Sequence, residues 1–201
     1  MSAPLTLVPA DDAPAAGLRV LHLGFGRTGR EVPFVTEPIA ELFTLDADPF
    51  LKPDFVCRLG QATLPFPDNS IDVAVAVHVL EHIGKQGETA EWFQFWEDLY
   101  RVLVPDGELR FESPLYDSVW SFADPTHSRA LSPQAFLYFA QDSYRQPGSA
   151  ISPYRIRCDL VPVGTFIGVR DSNPEIAAVE SVSHFRGVLK ARKPLRAWWL
   201  D

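Results

Sequence analysis

Leu18-Arg19-Val20-Leu21-His22-Leu23-Gly24-Phe25-Gly26-Arg27-Thr28-Gly29 is the stretch that decides the fold. A short run of branched apolar residues stops at a glycine. That is the form of a parallel strand buried on both faces and feeding a loop. Gly24 and Gly26 bring no Cβ into the loop, so backbone can approach a ligand closely. In open α/β sheets, ligands sit at the carboxyl ends of the strands where the winding direction switches, and the loop after the first strand is the expected place. A carboxylate at the end of the second strand can accept both hydroxyls of a ribose. Asp46 stands there, with Asp48 in reserve. The glycines taken alone decide little. Gly24, Gly26 and Gly29 also satisfy the dinucleotide pattern GxGxxG, and a structural turn without ligand would read the same way.

Working outward, residues 1–16 are rich in Ala, Pro and Asp without periodicity and read as a mobile tail; 17–201 read as one domain. Beyond the loop, Pro33 and Pro38 restrict any helix to a short or irregular one. Phe43 to Leu45 and Phe55 to Cys57 are short strands. Ile71 to Val79 is almost wholly apolar and suits a central strand. Trp92, Phe95, Trp96, Leu99, Val102 and Leu103 recur at helical spacing and mark a core face. Leu109 to Glu112 is a further strand. Ser132-Pro133 is a helix start with Phe136 and Phe139 on its buried side. Two β-prone runs near 155–169 and 176–190, joined by Asp171-Ser172-Asn173-Pro174, predict a closing hairpin. The expected fold class is α/β: a doubly wound sheet, mostly parallel, with an antiparallel strand near the C-terminus.

Bulk properties narrow the functions. The 201 residues are 46% hydrophobic, enough for a substantial core. No apolar run is long enough to cross a membrane as a helix. The start has no basic segment followed by an apolar block, and the expectation is a cytoplasmic protein with Cys57 and Cys158 as buried, reduced thiols. The net charge of -8 argues against nucleic acid as a partner. The end of the chain differs, with Arg186, Lys190, Arg192, Lys193 and Arg196 against a single acid, Asp201. This is either a solvated strand end or a contact patch for an acidic partner. The oligomeric state is not set by these features.

Three motifs in order then carry a resemblance. Leu64-Pro65-Phe66-Pro67-Asp68-Asn69-Ser70-Ile71-Asp72 runs into His78-Val79-Leu80-Glu81-His82-Ile83, and Tyr100-Arg101-Val102-Leu103-Val104-Pro105-Asp106-Gly107-Glu108-Leu109 follows. Together, over about residues 18–114, they resemble the class I S-adenosylmethionine-dependent methyltransferases of the type 11 family. Asp124-Pro125-Thr126-His127, with Ser132 to Phe136 after it, resembles a segment found in a subset of them. The resemblance implies a Rossmann-like fold with S-adenosylmethionine as cofactor. It places Gly24, Phe25 and Gly26 beside the methionine and ribose, Asp46 on the ribose hydroxyls, and Ala47 on the adenine. Gly60 and Gln61 would meet the adenine edge. His78 and Val79 would face the methionine part and the transferred methyl. Two positions depart from the pattern: His22 and Arg58 stand where acids are usual.

Methyl transfer needs alignment of two reactants, exclusion of water and, for some acceptors, a general base. His78 is the first candidate for that base and His127 the second, with Asp117 and Asp124 behind them. Glu81 and His82 read as scaffold opening a helix. Tyr116, Trp120 and Phe122 are candidates to line a pocket for a small-molecule or protein acceptor, bound by loops within 113–153. No metal site is expected, because the histidines show neither HExxH nor paired Cys/His spacing. The leading function is therefore S-adenosylmethionine-dependent methyl transfer to an unidentified acceptor. The alternatives are a degenerate methyltransferase fold that binds a partner, motivated by His22 and Arg58, and an NAD-dependent oxidoreductase, motivated by the glycines alone.

Overall fold

The computed structural model describes residues 16–26, 31–149, 151–179 and 182–199, so most of the expected 1–16 tail lies outside the described residues. The strands are β1 (Leu18–Leu23), β2 (Ile39–Asp46), β3 (Phe55–Val56), β4 (Ile71–Val77), β5 (Leu103–Pro114), β6 (Leu160–Pro162), β7 (Ile167–Val169) and β8 (His184–Ala191). They form one sheet in the order β3-β2-β1-β4-β5-β8-β6, with β7 also on β8. β1 to β5 are parallel, and β8 runs antiparallel to β5, β6 and β7. The order reverses between β1 and β4, which creates the crevice that the glycine loop predicted.

The centre of the sheet follows from its side chains. β4 reads Ile-Asp-Val-Ala-Val-Ala-Val, and small or β-branched residues suit a strand covered on both faces. Its single polar residue, Asp72, takes Arg19 Nε at 3.0 Å and the Arg19 amide at 2.8 Å, which ties β4 to β1. On one face lies helix α1 (Ala90–Val102), burying Trp92, Phe95, Trp96, Leu99 and Val102 as its spacing predicts. A 3-10 helix over Pro133–Phe139 adds Phe136 and Phe139. Trp96 stacks on Phe139 at 4.3 Å and Phe111 on Phe136 at 4.6 Å, joining helix, sheet and the 133–139 segment. Ser132 makes no side-chain cap there, although the proline does stand in the first turn.

The opposite face is covered differently. Val20, Val73 and Val75 are roofed by Val32, Phe34 and Val35, which belong to no helix. Pro33 and Pro38 account for that. Arg110 holds the roof down, donating to Phe34 O at 2.9 Å and pairing with Glu37 at 2.8 Å.

Two expectations need correction. The segment after β4 does not open a helix at Glu81-His82. It makes one 3-10 turn, Leu80–His82, and α1 starts only at Ala90. The C-terminal runs are not a simple hairpin either. β7 does pair with β8, but a helix α4 intervenes (Pro174–Val179), nucleated by Asn173 Oδ1 accepting from Glu175 N at 2.9 Å. Between α1 and α4 lie two shorter helices, α2 (Trp120–Ala123) and α3 (Gln141–Arg145).

Candidate functional site

A cleft of about 330 Å³ opens at the carboxyl ends of β1, β2, β3 and β4. β1 contributes Gly24 and β2 contributes Asp46 and Ala47. The loop after β3 contributes Arg58 and Gln61, and the end of β4 contributes His78 and Val79. Six of the nine expected cofactor residues thus share one wall. Gly24 is required there: its φ is +55, and an added Cβ would lie 2.4 Å from Val79 Cγ2. Phe25, Gly26 and Gly60 stand outside the wall. Phe25 is buried, its ring 6.3 Å from that of His22. Gly60 packs on α1, where a Cβ would come within 2.4 Å of Glu91 O. Gly26 acts through its backbone, donating to Asp46 Oδ2 at 3.2 Å. Asp46 Oδ1 accepts from Asp48 N at 2.9 Å. Two amides therefore fix the carboxylate, and its remaining lone pairs are available to hydroxyls. The glycine and carboxylate cradle fits an adenosyl ligand. The two departures fall differently: Arg58 lines the cleft, while His22 is buried behind it and burial lowers its pKa.

The other half of the site centres on Glu81, which is 2% exposed. His78 lies at φ +53, an uncommon conformation for a residue with a Cβ, and so aims its ring sideways. Its Nδ1 is 3.5 Å from Glu81 Oε1 and its Nε2 3.4 Å from Glu112 Oε1. Burial opposes a charge on this ring, but the two carboxylates outweigh it and push the pKa up to about 9. Arg186 pairs with Glu112 in turn. Burial works against the Glu112 charge as well, yet His78 and Arg186 hold its carboxyl down at about 2. An imidazole standing between two carboxylates suits a hydrogen-bond donor better than the general base expected of it. His184 packs edge-on to His78 at 4.9 Å, and burial with the His78 charge lowers its pKa. Trp120 lies 6.5 Å from His184, and Tyr116, Trp120 and Phe122 are all exposed.

His127, the second expected base, comes to the same carboxylate, with Nε2 3.8 Å from Glu81 Oε1. The loop that carries it is fastened to the turn after β4. Ser128 N and Arg129 N both donate to Glu81 O, at 3.0 and 3.1 Å. Arg129 donates to Ile83 O, Lys85 O and Glu88 O and lies over the Trp92 ring at 4.3 Å. His82, read from sequence as scaffold, lines the cleft, its ring 4.7 Å from that of His127. Glu81 and His82 are the residues that sequence reasoning missed. Their only signal was adjacency to His78 in a motif. By contrast, Tyr144, also within the expected acceptor loops, donates to Tyr138 O at 2.6 Å and faces Trp198.

Parallel strands in this order, with an antiparallel strand beyond β5 and a cleft at the switch, make the Rossmann-like fold of the class I methyltransferases. Residues 21–111 match the family model described as a methyltransferase domain, and the fold is that of the S-adenosylmethionine-dependent methyltransferases. No curated protein matches it. Among solved structures, it is similar to an S-adenosylmethionine-dependent methyltransferase from Archaeoglobus fulgidus (17% identity, 86% of each chain covered, TM-score 0.51). It is also similar to the N-methyltransferase NodS from Bradyrhizobium japonicum (12% identity, 89% and 88% covered, TM-score 0.56). A methyltransferase from Methanosarcina mazei matches at 12% identity, 89% and 94% covered and TM-score 0.54. At these identities the likeness is one of fold.

Proposed function

We propose that this protein transfers the methyl group of S-adenosylmethionine to a small-molecule or protein acceptor entering beside His78. The observation that carries the reading is the cleft at the switch point, with Gly24, Asp46, Ala47, Gln61, His78 and Val79 on one wall. Asp46 binds the ribose hydroxyls. Gly24 lets the chain pass close to the methionine part, and Ala47 and Gln61 bound the adenine. The bound cofactor supplies an activated methyl on a sulfonium, so the protein has to align reactants and keep water out. Leu45, Val79 and Ile83 provide apolar walls for that purpose. Tyr116, Trp120 and Phe122 form the acceptor side, with 17–201 acting as one domain. Cys57 and Cys158 are free and buried, and burial pushes both thiol pKa values up, Cys57 to about 11. Inert reduced thiols support a cytoplasmic location. No helix among the described residues is long and apolar enough to cross a membrane.

The test is a thermal-shift titration with S-adenosylhomocysteine, S-adenosylmethionine and NAD in parallel. Ligand at 100 times its dissociation constant adds about 2.7 kcal/mol. Stabilisation by the adenosyl ligands alone is expected, with affinity reduced at least tenfold in Asp46→Ala and in Asp46→Asn. Unchanged affinity in both variants would move the cofactor elsewhere. No response to any ligand would favour the partner-binding reading that His22 and Arg58 motivate.

A further inference from the structure

The two oxygens of the Glu81 carboxylate are treated unequally. Oε2 accepts from Ser113 Oγ at 3.1 Å. Oε1 is buried and accepts no hydrogen bond. His78 Nδ1 and His127 Nε2 stand 3.5 and 3.8 Å from it, beyond ordinary hydrogen-bond length. A buried carboxylate oxygen without a hydrogen bond is costly, even with two imidazoles facing it. Yet the fold builds the arrangement firmly, with three donors from Ser128 and Arg129 fixing the backbone of this residue. One donor atom each from Glu81, His82 and His127 lies within 4.8 Å of the others.

Two imidazoles and a carboxylate are a recurrent donor set for transition metals at sites that keep open positions. Ligand atoms each about 2.1 Å from one ion stand about 3.0 to 3.5 Å apart, so the observed separations close with shifts on the order of 1 Å. The surroundings are prepared for this. His82 Nδ1 lies 3.3 Å from both Thr126 O and Thr126 Oγ1, and the tautomer protonated there would leave Nε2 to ligate. Thr126 is itself held by Asp124, at 2.7 Å through its amide and 2.6 Å through its hydroxyl.

We propose that Glu81, His82 and His127 bind one divalent first-row transition ion at the rim of the cleft. Mg²⁺ does not suit the set, because it prefers oxygen donors and keeps its waters. His82 lines the cleft, so the positions the protein leaves free open toward it. An ion there would favour an acceptor that presents oxygen, such as a hydroxyl or phenol; this last step rests on the methyl-transfer reading. The spacing of the three residues follows no metal motif, which is why the sequence predicts no such site.

The experiment uses the full chain after dialysis against chelator. Co²⁺ is titrated by visible absorption and Zn²⁺ by calorimetry, and S-adenosylhomocysteine binding is measured on the same samples. One equivalent of each ion per chain is expected, with at least tenfold weaker binding in His82→Ala, Glu81→Gln and His127→Gln. The exposed His82 decides the matter if the buried Glu81 variant fails to fold, and circular dichroism checks each variant. Absence of binding overturns the site, as does stoichiometric binding that all three substitutions leave unchanged. Loss of metal binding with S-adenosylhomocysteine still bound leaves the methyltransferase reading standing. Metal binding without the adenosyl ligand supports the site and removes only the inference about its acceptor.

Discussion

At the scale of the residue, Glu112 shows how charge is organised around the cleft. It joins β5 to β8 through Arg186 and holds His78 at the end of β4. Its pKa falls from 4.5 to about 2 in the folded chain. A carboxyl depressed on folding contributes stability that is complete above its unfolded pKa and is lost as pH falls through the folded value. The contribution of Glu112 should therefore drain away between about pH 4.5 and pH 2, and it is worth up to about 3 kcal/mol at neutral pH. Unfolding of wild type and Glu112→Gln followed across that range checks this. The gap between them should be widest above pH 5 and should close on acidification; a constant gap would mean that the carboxylate is not held as described. Single residues were also where the sequence was most and least legible. Asp46 could be placed at the cleft because it ends a strand that a glycine loop faces. Glu81 could not, because burial and an oxygen without a hydrogen bond are properties of packing, and the His127 that meets it is 46 residues away.

At the scale of the element, the short turn after β4 and the loop around His127 behave as one unit. Sequence reading found both motifs and treated them separately. Their joint depends on Arg129, whose three carbonyl partners lie at 83, 85 and 88. Nothing local in the Arg129 sequence announces those contacts. Arg129→Met keeps most of the apolar volume over Trp92 but removes the charged donors. It should cost about 2–4 kcal/mol, since hydrogen bonds from charged groups are the stronger ones and several are lost together. Hydrogen exchange gives the sharper check. The amides of Ser128 and Arg129 should lose protection, while those of β4 and β5 keep it. Equal loss throughout would show a general destabilisation instead of an unfastened loop. The elements that sequence did predict well, α1 and the central strands, owe their legibility to long periodic patterns. The α4 segment was misread because its β-prone residues sit behind an Asn-Pro helix start that only the hydrogen bonds reveal.

At the scale of the whole molecule, the basic end of the chain is tied back into the fold. Arg186 pairs with Glu112, Lys190 with Glu108, and Arg192 with Asp106. Lys193 donates to Asn69 and to Arg101 O and Leu103 O. The basic residues that sequence reads as a solvated strand end or a contact patch are engaged in the fold, with carboxylates and carbonyls far away in the chain. The last of them, Arg196, is the decisive one. Its Nε meets Asp159 Oδ2 at 2.6 Å, and Asp159 is fully buried, with its other oxygen taking Gln141 N at 3.0 Å. Removing the guanidinium leaves a buried charge half compensated, a change that costs about 3–5 kcal/mol where both partners are buried. Arg196 is 41% exposed, so water can replace part of it, and about 2–3 kcal/mol is the expected loss for Arg196→Met. Asp159→Asn in the same chain should recover much of that loss, because the charge is gone while Gln141 keeps its acceptor. Chemical denaturation of the two single variants and the double variant measures the coupling. Additive losses would show that the C-terminal segment merely lies against β6 and its neighbours; strong coupling would show that it locks the antiparallel edge onto the parallel sheet that carries the cleft.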